Sequence, residues 1–431
     1  MRMQTPLYTL LALSLSFAGL GGSQNLAYAA CQSSAAESSA AQSPAPASKA
    51  ISNVLASAIE RGDTPGVVAL VVDRKGCVFE DSAGKLDVVH DVPLSSNAIF
   101  RIASMTKPVT SVAIMILVEE GKLSLDDPVF KYLPAIGQLQ VLTHFNEVDG
   151  TYETRPAKRP MTIRHLLAQT SGMGYAFSNP TVAALGKLTH KPDWELPLQH
   201  DPGEMWMYSP SPEVLGLIVE KISGMSLEDF LQRHIFVPLG MHDTSFAVPL
   251  DKQSRVTTVY QHVDGKFQDI PQPPIPAVPT PPFRGDGGLC STADDYGKFL
   301  SMLLGGGQLG HVRILSARSV QLMGENQIGA IVVSQQPAAD PVRTRPFPLG
   351  AGRDKFGLGF QITEASSEGS KSRSQGSLSW AGIYNTEFWI DPQRGIGGVL
   401  LMQFLPFYDE AAIRTLKDFE NAVYEDLNHG P

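Results

Sequence analysis

Ser104 and Lys107 stand three residues apart in the stretch Phe100-Arg101-Ile102-Ala103-Ser104-Met105-Thr106-Lys107. On a helix, residues at i and i+3 share a face, so the lysine ammonium would sit beside the serine hydroxyl. A serine is a poor nucleophile until a neighbouring group activates it, and this spacing supplies one. The pattern by itself is weak. At ordinary residue usage roughly one or two Ser-x-x-Lys matches arise by chance in a chain this long. A second one, Ser82-Ala83-Gly84-Lys85, is indeed present, in a turn with no helix to align it. The first opens a helical run over 109–120 that stops at Gly121. A serine at a helix start also has free backbone N–H groups and the positive dipole end beside it. Pro108 falls early enough in the helix that its missing N–H costs little.

The elements that must position this pair follow from hydrophobic period and turn chemistry. Residues 50–62 read as an amphipathic helix with Ile51, Val54, Leu55 and Ile59 on one face. The β-branched run 67–73, a turn at Arg74-Lys75-Gly76 and the return 77–80 read as a β-hairpin. The polar stretch 137–160 holds a small hairpin at Val148-Asp149-Gly150-Thr151. Helices are expected over 162–169, 213–222, 227–235, 292–304 and 409–427, and strands over 357–362, 376–383, 387–390 and 397–403. Residues 270–284 are proline-dense and form an extended crossing or lid, expected with 137–160 to cover the entrance of the site. Strands thus occupy both ends of the chain and helices its middle. The simplest architecture is α+β: an antiparallel sheet flanked by helices, built from both chain ends, with an inserted all-helical region at about 104–285.

Composition bounds the partners and the compartment. The chain has 431 residues, 43% hydrophobic and 18% charged, with a net charge of −9. The acidic balance argues against nucleic acid as a partner. Residues 1–29 read as a secretory signal: Arg2 at the start, an apolar run over 7–20, and Ala27-Tyr28-Ala29 as the small-x-small cleavage site. Residues 30–50 read as a flexible linker, and 51–431 as the folded domain. The protein is therefore expected to be exported, periplasmic or secreted, with a membrane contact only if Cys31 carries a lipid. Cys31, Cys77 and Cys290 are an odd number of cysteines, far apart, and read as isolated thiols, with a Cys77–Cys290 pairing undecided by sequence. The ten histidines show no metal-ligand spacing, so neither metal nor cofactor is expected.

Two further motifs join the first. Tyr208-Ser209-Pro210 follows Asp201-Pro202-Gly203 and precedes a helix. Trp380-Ala381-Gly382-Ile383 stands on a strand opened by Gly376-Ser377-Leu378-Ser379. Asp286-Gly287-Gly288-Leu289-Cys290-Ser291-Thr292-Ala293 and Phe236-Val237-Pro238-Leu239-Gly240-Met241 read as scaffold. Together these motifs, spread over about 64–403, resemble the serine β-lactamase and penicillin-binding-protein superfamily in its class C-like branch. The resemblance implies a β-lactamase/transpeptidase-like fold, with Ser104 as nucleophile, Lys107 and Tyr208 as the base system, and the backbone N–H groups of Ser104 and Ile383 as an oxyanion hole.

The chain departs from that pattern twice. Pro210 stands where the family has an asparagine that contacts amide substrates. Trp380 stands where the family has a lysine or histidine that holds a substrate carboxylate. An apolar ring there favours an uncharged ester, lying against Trp380 and Gly382. This pattern is closest to the family VIII carboxylesterases and related acyltransferases. The expected activity is cleavage of a small-molecule carboxylic ester through an acyl-enzyme, the acyl group passing to water or to an alcohol. Two other readings remain open: a class C-like β-lactamase or D-alanyl-D-alanine carboxypeptidase on the same site, and a non-catalytic cell-envelope binding protein on the same scaffold. An α/β-hydrolase esterase is not favoured, since no Gly-x-Ser-x-Gly elbow occurs.

Overall fold

The β-branched run near the N-terminus becomes strand β1 (Gly66–Asp73), and both of its faces are buried. The computed structural model describes residues 46–364 and 372–429. The signal expected at 1–29, the lipid site at Cys31 and most of the 30–50 linker lie outside the described residues. Helix α1 (Pro46–Glu60) begins inside the expected linker, so the ordered fold starts about five residues earlier than the sequence suggested. Proline is tolerated in a first helical turn, and Ile51, Leu55 and Ala58 anchor the helix by burial.

The expected antiparallel sheet has eight strands. Its principal members are β1, β2 (Gly76–Asp87), β3 (Leu378–Gly382), β4 (Thr386–Asp391) and β5 (Ile396–Leu401). Their order is β3-β4-β5-β1-β2, with two-residue strands Lys355–Phe356 and Gln361–Ile362 beyond β3 and Val92–Pro93 beyond β2. The two chain ends therefore meet at one seam, where β1 pairs antiparallel with β5, Val68 opposite Leu401 and Asp73 opposite Ile396. Along β1 the side chains alternate between two cores. Val68, Leu70 and Val72 enter the large core shared with the helical region. Val67, Ala69 and Val71 enter a smaller one against α1 and the last helix, as the period of two in a strand requires.

The inserted region carries the helices that frame the site: α2 (Thr106–Glu119), α3 (Ile163–Leu167), α4 (Ser211–Ser223) and α5 (Ala293–Leu304), the last packed on the sheet. Helix α6 (Glu410–His429) closes the chain. The insertion is not all-helical. The hairpin Val141–Phe145/Tyr152–Arg155 was expected from its Asp-Gly turn. A second hairpin, Tyr260–Val263/Lys266–Asp269, was not. Its Asp264-Gly265 turn, with both φ angles positive, is the signal that reveals it. Residues 270–284 hold no helix or strand, as expected. Ser82 and Lys85 lie on β2, where Lys85 pairs with Asp91, so this second Ser-x-x-Lys forms no site. Cys290 is a buried free thiol, so no Cys77–Cys290 bond exists. Cys77 is disulfide-bonded, against the reading of isolated thiols. Among the described residues no helix is long and apolar enough to cross a membrane.

Strand β5, which forms one side of the seam, depends on glycine. Gly398 on β5 lies opposite Trp389 on β4, and a Cβ there would meet the indole ring at 2.2, 2.4 and 2.5 Å. The ring is rigid and fully buried, so it cannot step aside cheaply. Gly398→Ala should lower unfolding free energy by about 1–3 kcal/mol, the usual range for overpacking. Denaturant titration measures this, and an unchanged midpoint would show that the sheet yields more easily than the packing implies.

Candidate active site

The backbone turns sharply just before the serine. Ala103 holds φ at +44°, a left-handed conformation that is strained for a residue with a Cβ. A one-turn 3₁₀ segment, Ala103–Met105, then delivers the chain into α2. Ser104 is half-buried, and Lys107 on the first turn of α2 is only 3% exposed. The i, i+3 expectation holds: Lys107 Nζ donates to Ser104 Oγ at 3.1 Å. The same ammonium donates to the Tyr175 hydroxyl at 2.9 Å and to the Asp286 backbone carbonyl at 2.6 Å. An ammonium has three donors, so all three are engaged.

Tyr175 and the carboxylate of Asp286 were not assigned to the site from sequence. Tyr175 follows the tight loop after α3, where Gly172 takes φ of +93°. Asp286 belongs to the segment read as scaffold. The Tyr175 hydroxyl donates to Asp286 Oδ2 at 2.5 Å, and Arg284 donates to the same carboxylate from Nε and Nη2 at 3.2 and 3.0 Å. Burial opposes the charge on Asp286, but the Lys107 and Arg284 cations and the Tyr175 hydroxyl outweigh it and hold the carboxyl below its ordinary range. Burial, reinforced by the Asp286 charge, pushes the Tyr175 phenol well above its ordinary range. Tyr175 therefore keeps its proton and acts as a positioning residue. The only sequence signal for it was an aromatic residue closing a Ser-Gly-x-Gly loop.

Tyr208 is brought to the same place by a different network. Ser209 bonds Gln169 Oε1 through its N–H and its hydroxyl at 2.9 and 2.7 Å, and a serine chain continues through Ser211 to Ser171. Pro210 precedes α4 and offers no polar side chain. The Lys107 ammonium lies 4.8 Å from the centre of the Tyr208 ring. The Tyr208 hydroxyl makes no hydrogen bond to any described residue, so it is left available to a substrate or to Ser104.

Trp380 on β3 packs against Tyr208 with ring centres 4.9 Å apart, and also against Trp206 and Phe356. It is 7% exposed, so the aromatic wall shields most of it. Gly382 sits at the end of β3 against the segment leading to the serine. A Cβ there would meet the Ile102 carbonyl at 2.4 Å and Thr386 Oγ1 at 2.2 Å. Only glycine lets the strand end approach this closely, and Ile383 follows it directly. The structure thus gathers Ser104, Lys107, Tyr208, Trp380 and Gly382 around one cleft. Among the described residues no group of His, Cys, Asp or Glu side chains stands together to hold a metal.

A family profile described as Beta-lactamase matches residues 51–421. An uncharacterised protein of Mycobacterium tuberculosis is 36% identical over 80% of this chain and 88% of its own length. Monacolin J acid methylbutanoyltransferase of Aspergillus terreus is 28% identical over 86% of this chain and 94% of its own. Among solved structures, the LovD6 mutant of simvastatin synthase from Aspergillus terreus superposes with a TM-score of 0.76 at 27% identity, covering 88% of this chain and 95% of that one.

Glu213, on the first turn of α4, is the second acid of this site. Its carboxyl is buried beside that of Asp286. Burial, with the Asp286 charge beside it, pushes its carboxyl from the ordinary 4.5 up to about 8. Between those two values the unfolded chain has lost a proton that the folded chain retains, so stability falls as pH rises through that window. Glu213→Gln removes this term. The variant should gain on the wild type by up to about 1.4 kcal/mol per pH unit between pH 5 and 8, read from denaturant midpoints. A stability difference that stays flat with pH would show that Glu213 ionises normally.

Proposed function

The chain belongs to the Beta-lactamase family, and on that premise we propose that it is a serine acyl-transfer enzyme acting on small carboxylic esters. The observation that carries this reading is the Lys107 ammonium held 3.1 Å from Ser104 Oγ and beside the ring of Tyr208. Ser104 Oγ attacks the ester carbonyl carbon, and the serine proton passes to the Tyr208 oxygen, whose negative form Lys107 stabilises. The tetrahedral oxyanion lies between the N–H groups of Ser104 and Ile383. The C–O bond to the alcohol then breaks, Tyr208 returns the proton to the leaving oxygen, and the acyl group stays on Ser104. Water or a second alcohol takes it off by the same steps in reverse.

The aromatic wall of Trp380, Trp206 and Phe356 supports an ester over a lactam or peptide, since it offers no cation for a substrate carboxylate. The relative that transfers a methylbutanoyl group supports an alcohol as acceptor alongside water. Hydrolysis and alcoholysis share every step up to the acyl-enzyme, so one site serves both.

Rates on a short-chain p-nitrophenyl ester and on nitrocefin decide between ester and lactam, and a faster turnover of nitrocefin would sink the ester reading. Ser104→Ala should abolish ester turnover, and retained activity would move the nucleophile elsewhere. Tyr208→Phe should lower kcat by about 10²–10⁴-fold, as loss of a general base does. Tyr175→Phe removes one of three bonds to Lys107 and should cost less. An equal or larger loss in Tyr175→Phe would reassign the base to Tyr175.

A further inference from the structure

One cavity formed by the described residues is not the serine cleft. It lies behind β3, between the sheet and α6, and measures about 610 Å³, within the usual range for small-molecule sites. Trp380 and Phe347 stand on its wall and also touch Tyr208, so the cavity and the cleft share a partition. Phe347, Phe407 and Tyr408 give it an aromatic side.

Its charged groups are paired with one exception inside. Arg373 is taken by Glu420. Arg353 is taken by Asp354, Nε to Oδ1 at 3.0 Å, and Asp354 Oδ2 also accepts from Gln361 at 2.7 Å. Lys417 stands exposed at the rim. That leaves Glu387. On β4 its neighbours Thr386 and Phe388 face away, and Phe388 and Ile390 enter the large core while Trp389 enters the α6 side. Glu387 shares the face of Trp389. It is only 5% exposed, lines the cavity, and makes no hydrogen bond to any described residue. A carboxyl in that position needs a partner or a proton, because an unpaired buried charge is expensive.

We propose that this cavity is a second binding site, separate from the serine cleft, for a small organic cation. An ammonium group would pair with Glu387, and an attached aromatic or aliphatic body would lie against Phe347, Phe407 and Tyr408. Three features select that chemistry over a neutral or anionic ligand. The one unmatched group inside is acidic, the other acids already hold arginines, and the remaining wall is aromatic, which also attracts cations. The inference does not depend on the acyl-transfer reading.

The groups facing Glu387 set its titration. Burial, then Glu420 from α6, disfavours its charge, while Arg373 favours it and falls short. Its carboxyl is pushed up to about 8. Tyr408 stays protonated beside it, its phenol raised by burial and by the Glu387 charge. At neutral pH the empty cavity therefore holds a neutral acid, and a bound ammonium would expel its proton.

Calorimetric titration of the full chain with 2-phenylethylammonium chloride tests this, with 2-phenylethanol as the neutral match. The ammonium should bind saturably and at least about tenfold more tightly than the alcohol. Its affinity should fall about tenfold for each pH unit below 8, because the acid must first ionise. Glu387→Gln should lose the pH dependence and at least about tenfold in affinity. Equal binding of the alcohol, a pH-independent affinity in the wild type, or unaltered binding in Glu387→Gln would each overturn the proposal. The pH series on the wild type decides it even if the variant fails to fold.

Discussion

One buried cation organises this protein. Lys107 is 3% exposed and spends its three donors on Ser104 Oγ, the Tyr175 hydroxyl and the Asp286 carbonyl. A charge in such a place is tolerated only when it is bonded and balanced; breaking a buried pair typically costs about 3–5 kcal/mol. Asp286 supplies the balance, and Arg284 with Tyr175 keeps Asp286 ionised. The lysine therefore arrives at the serine with its orientation fixed from three sides. The same arrangement sorts the two tyrosines. Tyr175 is locked to a carboxylate and keeps its proton, while the Tyr208 hydroxyl has no such tie.

Holding that cation requires parts that are far apart in the chain to meet within a few ångströms. The loop after α3, the entry to α4, the turn at 284–287 and the end of β3 all converge on the first turn of α2. Glycines permit the closest of these approaches. A Cβ on Gly285 would meet the Pro212 carbonyl at 2.4 Å, and one on Gly382 would meet the Ile102 carbonyl at the same distance. Strain at Ala103 is accepted for the same end, since its left-handed turn presents Ser104 at the head of the helix. The sheet seam behind the site, where the two chain ends pair, gives these contacts a fixed frame.

The aromatic wall links the two halves of the molecule's chemistry. Trp380 and Phe347 separate the serine cleft from the cavity on the α6 side. On the cleft side they present a surface without charge. On the far side, the unmatched carboxyl of Glu387 shows that β3 and β4 divide two environments of opposite character, as alternating side chains on a strand allow.

The sequence alone determined what local pattern can encode. The Ser104/Lys107 spacing, the helix that aligns it, the β-branched strand at 67–73 and the return of strands near the C-terminus were all legible, because helical and strand periods are written in neighbouring residues. It also placed Tyr208 and Gly382 in the site, through short motifs with their flanking turns. Tertiary structure decided what depends on distant partners. Nothing near Asp286 in sequence reveals that its carbonyl meets Lys107 across 179 positions, or that Tyr175 lies between them. The helix start at Pro46 and the hairpin at 260–269 escaped because burial against other elements, or a single Asp-Gly turn, outweighed a polar local composition. Which carboxyls are charged is decided last of all: Asp286 and Glu387 look alike in a sequence, and only the cations and burial around each fix their different states.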